Sequence, residues 1–283
     1  MTLKKDLFNA IQSFPHLENG KVSDVIVKSK NEVYTVIVTE DGSKVSKKRV
    51  GALTMLAKGI GAKPIIVSER LGNEKLLEDV VYERHKTAVV NLETFEKILE
   101  GDKIYLRKKK SVFTVSIDSR KLREICEENG ISLGELANFL GVSRKSVYEY
   151  LRGRKDVSVD VAIKLAELFG DDILKPVELD EFEGIRMEVE PHTPLEEKVL
   201  ERVSSPVHVP KGNVSLGGKV DDVEFAALVP HGDEELEWFG ELSNLIDRLS
   251  VAIGFEDVPK NLEESKAEVV KNLQEFFQLF SRA

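Results

Sequence analysis

The chain has 283 residues, 41% hydrophobic and 32% charged, with one cysteine and a formal net charge of −9. That length suits two or three domains, and the hydrophobic fraction lets each bury a core, which excludes a disordered chain. The lone thiol, Cys126, excludes a disulfide framework, no stretch has the length of a membrane span, and the amphipathic start MTLKKDLFNAIQSF is unlike a leader, so a cytoplasmic protein is expected.

The charge is divided unevenly. Residues 1–117 hold 21 Lys and Arg against 15 Asp and Glu, and residues 118–176 hold 10 against 11. Residues 177–283 hold 10 against 24, so the acid lies in the last third.

The first 117 residues read as an α/β domain. A helix is expected at 4–13, a hairpin of strands at 22–27 and 33–39 around KSKN, and a helix at 44–59. A buried strand follows at 64–68, short runs at 80–82 and 88–90, a helix at 92–100, and strands at 104–106 and 112–117. Gly59-Ile60-Gly61-Ala62 lies between helix and strand, the reverse of a phosphate loop. Lys44, Lys47, Lys48 and Arg49, and the run from Arg107 to Lys110, read as solvated faces.

Helix, hairpin, helix and strand in this order resemble the nuclease-like fold of Holliday-junction resolvases and many restriction enzymes. That family places an aspartate at the start of one strand and Glu-x-Lys on the next, to hold a metal and activate water. Asp24 stands where the aspartate belongs. Counted from it, Ile37 and Thr39 fall at the acid and lysine positions, with Glu40 and Asp41 beyond, in an expected turn. The resemblance therefore implies the fold without its catalytic set, and no catalytic residue, metal or cofactor is assigned. Five scattered histidines, His16, His85, His192, His208 and His231, show no zinc-ligand spacing.

Residues 118–175 carry the most specific pattern. Ser132 and Glu135 form an S-x-x-E capping box, and Leu133, Leu136, Ala137 and Leu140 give the helix an apolar face. Gly141 supplies a turn, Val142 fills the angle, Ser143 caps a second helix, and Val147 and Leu151 face inward. Helices at 119–129 and 158–170 flank the pair, the latter closing the core with Val161, Ile163, Leu165, Ala166 and Leu168. These positions resemble the Cro/C1-type helix-turn-helix family. The resemblance implies that the second helix enters the major groove. Arg144, Lys145, Tyr148 and Glu149 would then read bases, while Ser143, Ser146, Arg152, Arg154 and Lys155 would meet phosphates.

Residues 176–193, acidic and irregular with prolines at both ends, read as a linker. A C-terminal α/β domain is expected over 194–283, for dimerisation or as a second nuclease-like unit. Its elements are a helix at 194–203, strands at 206–209 and 223–229, and two long helices at 233–254 and 262–280. Phe276, Phe277 and Phe280 on the last helix read first as core of their own domain and second as a dimer contact. The whole order, nuclease-like α/β, helix-turn-helix and second α/β, resembles archaeal transcriptional regulators of the Cro/C1-type. It implies a sequence-specific regulator that binds double-stranded DNA as a homodimer on a two-fold operator. The alternative is a factor that binds basal transcription machinery, resembling archaeal proteins whose resolvase-like domain binds the TATA-binding protein.

Overall fold

The computed structural model describes residues 2–18, 22–187, 190–209, 214–229 and 233–281; His231 lies outside them. The chain forms two compact units. Met1–Lys75, Arg84–Ala88 and Phe182–Ala283 make the first, and Leu76–Glu83 with Val89–Glu181 the second.

In the first unit, helix α1 (Leu3–Ala10) precedes strands β1 (His16–Glu18), β2 (Val25–Ser29) and β3 (Glu32–Asp41). The three strands are antiparallel neighbours, and the β2–β3 turn takes Lys30 at φ 53°. Helix α2 (Lys47–Ile60) then crosses over to β4 (Lys63–Leu71), parallel to β3, and β5 (Glu74–Lys75) folds back on β4. α2 begins later than its sequence pattern suggests because two caps follow one another. Asp41 accepts from Ser43 N–H to start a short 3-10 turn, and the Ser46 hydroxyl then accepts from Arg49 N–H.

β6 (Val80–Arg84) and β7 (Thr87–Val90), whose facing ends Arg84–Ala88 belong to the first unit, lead in the second unit into α3 (Leu92–Glu100), capped by Asn91 and ended by Gly101 in the left-handed region. Strand β8 (Leu106–Lys109) runs parallel to β6, and β9 (Val112–Ile117) antiparallel to β8. Helices α4 (Ser119–Glu128), α5 (Leu133–Leu140) and α6 (Arg144–Leu151) follow. Strand β10 (Val157–Ser158), helix α7 (Val159–Phe169) and strand β11 (Leu174–Lys175) complete the unit, and both short strands pair with β9. Residues on both sides of position 117 thus share one core, in which Val115 and Ile117 meet Leu122, Leu140, Val147 and Leu165. Three residues expected in that core are exposed: Leu133 (42%), Ile163 (52%) and Leu168 (43%). Leu133 opens its helix, and Ile163 and Leu168 lie off the face on which α7 buries Val161, Ala162 and Leu165.

The C-terminal part of the first unit contains α8 (Pro194–Leu200), then β12 (Ser204–His208), β13 (Leu216–Val220) and β14 (Val223–Leu228), all antiparallel neighbours. Helix α9 (Asp233–Leu245) crosses over to β15 (Leu249–Ile253), parallel to β14. Strand β16 (Glu268–Val270), parallel to β15, and α10 (Leu273–Phe280) end the fold. This repeats the order and sense of α1 through β4. The repeat reaches single hydrogen bonds. Asp24 N–H donates to Val36 O (2.8 Å) while its carboxylate accepts from Val38 N–H (2.9 Å). Ser215 N–H donates to Ala227 O (2.9 Å) while its hydroxyl accepts from Val229 N–H (3.0 Å).

The two long helices expected here are corrected, since each range contains a strand. Leu249–Ile253 is almost wholly buried and is flanked by β14 and β16 in its sheet, where an apolar strand with Val251 and Ile253 packs well. Phe276 and Phe280 are buried, and Phe277 is half-buried against Phe276, in keeping with the core reading. The two buried rings pack edge-on against Phe225 at 5.2 and 5.7 Å in the chain's own core.

Each crossover helix also packs on the other half's sheet: α2 lies against β12, β13 and β14, and α9 against β1. Leu56 and Ile60 of α2 thereby share a hydrophobic cluster with Val209, Ala226 and Leu228, and with Trp238, Phe239 and Leu242 of α9. The approach is close enough that a Cβ on Gly217 would lie 2.6 Å from Gly59 Cα and O. Arg248 reinforces it by donating to Lys58 O (2.7 Å) and Gly59 O (3.0 Å), the free carbonyls ending α2. Gly217→Ala is therefore expected to destabilise the protein by about 1–3 kcal/mol, measured by denaturant unfolding, because two backbones must separate.

Candidate nucleic-acid interface

The helix-turn-helix lies wholly in the second unit. Ser132 and Glu135 form a complete capping box: the hydroxyl accepts from Glu135 N–H (3.2 Å), and the carboxylate accepts from Ser132 N–H (2.8 Å). Gly141, at φ 72° and ψ 33°, ends α5 in the left-handed region that glycine enters without strain. Val142 N–H returns to Ala137 O (3.0 Å), and Ser143 Oγ accepts from Ser146 N–H (3.1 Å) to open α6.

The buried side of α6 consists of Val147 and Tyr150, which sets the opposite side outward. Lys145, Tyr148 and Arg152 share that exposed side, with the Arg152 guanidinium stacked over the Tyr148 ring at 4.5 Å. Glu149 and Ser146 are half-buried beside them. Arg154 and Lys155 are exposed just past the helix end. Arg144 is exposed but folded back: its guanidinium rests on Gly134, where a Cβ would stand 3.0 Å from Nη2. The expected residues thus separate into a strip on α6, a pair beyond it, and one arginine laid on α5. Sequence reading missed two supports. Gly134 makes room for Arg144, and Arg123 of α4 donates to Leu151 O (2.8 Å), closing the end of α6. Cys126, buried in α4, has its thiol pushed up by burial, as befits an unreactive core residue.

The Asp24 position in the first unit has different chemistry. Its carboxylate accepts from Val38 N–H, from the Arg49 guanidinium (2.8 Å) and from Lys4 Nζ (3.3 Å). Ile37 is fully buried and Thr39 half-buried. A hard divalent cation wants several oxygen ligands, and here one carboxylate is already engaged by two cations. Among the described residues, no group of three or more His, Cys, Asp or Glu is placed to hold a metal. The residues present do not fit the metal that a nuclease of this fold would use. His192 and His208, far apart in sequence, meet with ring centres 4.9 Å apart beside buried Glu196.

Asp41 is the last residue of β3 rather than part of a turn, and it is buried. Its carboxylate accepts from Gly72 N–H (2.9 Å), Ser43 Oγ (2.7 Å) and Ser43 N–H (3.0 Å), with Arg70 3.8 Å away. The Gly72 and Ser43 bonds hold it well below the usual carboxylate range, at about 2.

These features define a helix-turn-helix protein with a nuclease-like partner fold, and comparison with known proteins agrees. A family model described as a PD-(D/E)XK superfamily domain matches residues 2–104, and one described as helix-turn-helix matches residues 122–171. A protein of Pyrococcus furiosus named "Putative HTH-type transcriptional regulatory protein" is 33% identical over 234 residues, covering 80% of this chain and 74% of its own length. The chain belongs to that archaeal family of HTH-type proteins. Proteins of the same name from Aeropyrum pernix and Sulfurisphaera tokodaii are 41% and 38% identical over 60% and 62% of this chain. The chain spans about half the length of those two, 52% and 56%. No solved structure matches. No helix among the described residues is long and apolar enough to cross a membrane.

The Asp41 hydrogen bonds make a pH prediction. Its folded value lies below the ordinary 3.8, so its stabilisation is present above that value and is lost as pH falls towards about 2. Asp41→Asn is expected to lower Tm at neutral pH and to flatten the fall of Tm between those two values, read from melting curves across a pH series.

Proposed function

We propose that the chain is a sequence-specific DNA-binding transcriptional regulator and not an enzyme, with α6 as its recognition helix. The observation that carries this reading is the strip of Lys145, Tyr148 and Arg152. It is exposed, and neither cation has an ion-pair partner among the described residues. Residues on the outer face of a recognition helix point at base edges, where a lysine or arginine suits guanine O6 and N7. Lys145 and Arg144 take that role, Arg144 by leaving Gly134, with Glu149 accepting from cytosine N4 and Tyr148 meeting a thymine methyl. Ser143, Ser146, Arg152, Arg154 and Lys155 hold phosphates and fix register.

A single helix-turn-helix covers a half-site, so the functional form is a homodimer on a two-fold operator. Phe276 and Phe280 are buried in the core, whereas exposed Phe139, Ile163 and Leu168 in the second unit supply apolar surface for the contact. A second reading, docking to a basal transcription factor of basic charge, draws on the acidic residues 177–283. Footprinting at the chain's own promoter separates them, since only the first gives a protected two-fold site.

Lys145→Ala is expected to cost about 1–3 kcal/mol on the cognate site and to relax preference at one base position. Unchanged preference, by binding to a randomised duplex pool, removes α6 as the reader. Lys155→Gln is expected to weaken cognate and random duplexes equally and to reduce the salt slope by about one. Junction, duplex and single-stranded substrates are expected to remain intact with magnesium or manganese. Metal-dependent cleavage that Asp24→Ala abolishes contradicts the non-catalytic reading.

A further inference from the structure

The reciprocal packing of the first unit leaves two related grooves. One lies between β1 and α9, has a volume of about 450 Å3, and is lined by Glu18, Glu237 and Glu241 with Trp238 and His16. Its counterpart between β12 and α2 encloses about 570 Å3 and has the opposite charge. Lys58, Arg186, Lys219 and Arg248 line it, against the single carboxylate of Glu224. Two grooves in repeated halves with opposite charge indicate that neither charge is demanded by the packing.

The cations of the second groove differ in how far they are neutralised. Arg248 is engaged by Glu224 (2.7 Å) and by the α2 carbonyls, and Lys219 by Asp222 (2.7 Å). Lys58 and Arg186 have no ion-pair or hydrogen-bond partner among the described residues. Burial, and then the neighbouring Arg186 charge, hold the Lys58 ammonium below its usual range, which Glu183 only partly offsets. Two like charges beside each other in a concave site are relieved by an anion, which gains charge-assisted hydrogen bonds from both. The adjoining wall is apolar: Met187 packs on Gly51 of α2, next to Met55, with Pro206 across the groove. Small-molecule sites combine such walls with a few convergent polar groups in roughly 300–1,000 Å3. A nucleic-acid strand would instead need a basic track extending past the groove, and Glu224 interrupts it on the β14 side.

We propose that this groove binds a small phosphorylated molecule of nucleotide size, its phosphate between Lys58 and Arg186 and its flat apolar body against Met55, Met187 and Pro206. The site is independent of the DNA reading, because it lies in the first unit and its test reads binding of the small molecule directly.

The test is isothermal titration calorimetry of the full chain with the four ribonucleoside monophosphates, adenosine and inorganic phosphate. At least one nucleotide is expected to saturate at one molecule per chain, with inorganic phosphate weaker and adenosine silent. Lys58→Gln and Arg186→Gln are each expected to weaken the nucleotide about tenfold. Neither substitution is expected to change the melting temperature without ligand, or affinity for the operator duplex. Three results overturn the proposal. One is the absence of saturation by any nucleotide at millimolar concentration. The second is unaltered binding in the double variant. The third is a double variant that loses affinity for random duplex while no nucleotide saturates, which makes the groove a DNA-backbone contact.

Discussion

The packing of α2 against the sheet of the opposite half is the contact on which the first unit depends. Because Gly59 and Gly217 carry no side chains, the end of the helix comes within backbone distance of β13. Leu56 and Ile60 can then join the cluster formed by the second sheet and α9. Arg248 fixes the same end by satisfying carbonyls that α2 leaves open. A helix normally buries one stripe against its own sheet. Here it is buried on two sides, and nine of its residues between Val50 and Ile60 are buried. That double burial explains why, among the described residues of the first unit, Val258 is the exposed large hydrophobic side chain.

The repeat within this unit also bears on its chemistry. Ser215 makes the same pair of backbone bonds as Asp24, so the position at the strand start has a structural task in both halves. It extends the pairing of the second and third strands of each half, β2 with β3 and β13 with β14, by one residue. A hydroxyl performs that task as well as a carboxylate does. In the N-terminal half the carboxylate additionally gathers Arg49 and Lys4, a use of the charge that needs no ion beyond the protein.

Legibility in the sequence followed how local the determining forces are. The helix-turn-helix was readable because its capping box, Gly141 and small Ala137 act within a few residues of each other. The α2 crossover and the β2–β3 hairpin were readable for the same reason, and the degenerate Ile37 and Thr39 positions followed from the register. The C-terminal half was misread where burial on all sides removes periodicity: LSVAI in β15 has no polar face by which to tell strand from helix. The two short strands on β9 escaped notice because a two-residue pairing carries no pattern of its own. The folding back of Arg144 was equally invisible, since it depends on an absent Cβ at Gly134 ten residues earlier. Lys58 and Arg186 meet only because the chain returns to α2 after the whole second unit.

That return has a consequence for how the protein is made. The second unit is an insertion: its residues, Leu76–Glu83 and Val89–Glu181, interrupt a first unit built from segments on both sides of them. As the chain leaves the ribosome, the second unit is complete long before β12 through α10 exist. Domains fold as units in order of synthesis, so the inserted unit folds first while the N-terminal sheet waits with part of its apolar surface uncovered. The closing contacts, such as Trp238 Nε1 to Glu18 O and Lys28 to Asp247, span more than 200 residues of sequence. Contacts of such sequence separation carry a high loop-closure cost and are expected to form late. Helix α6 is thus shaped early and locally, whereas the proposed ligand groove exists only once β12 through β15 have been made.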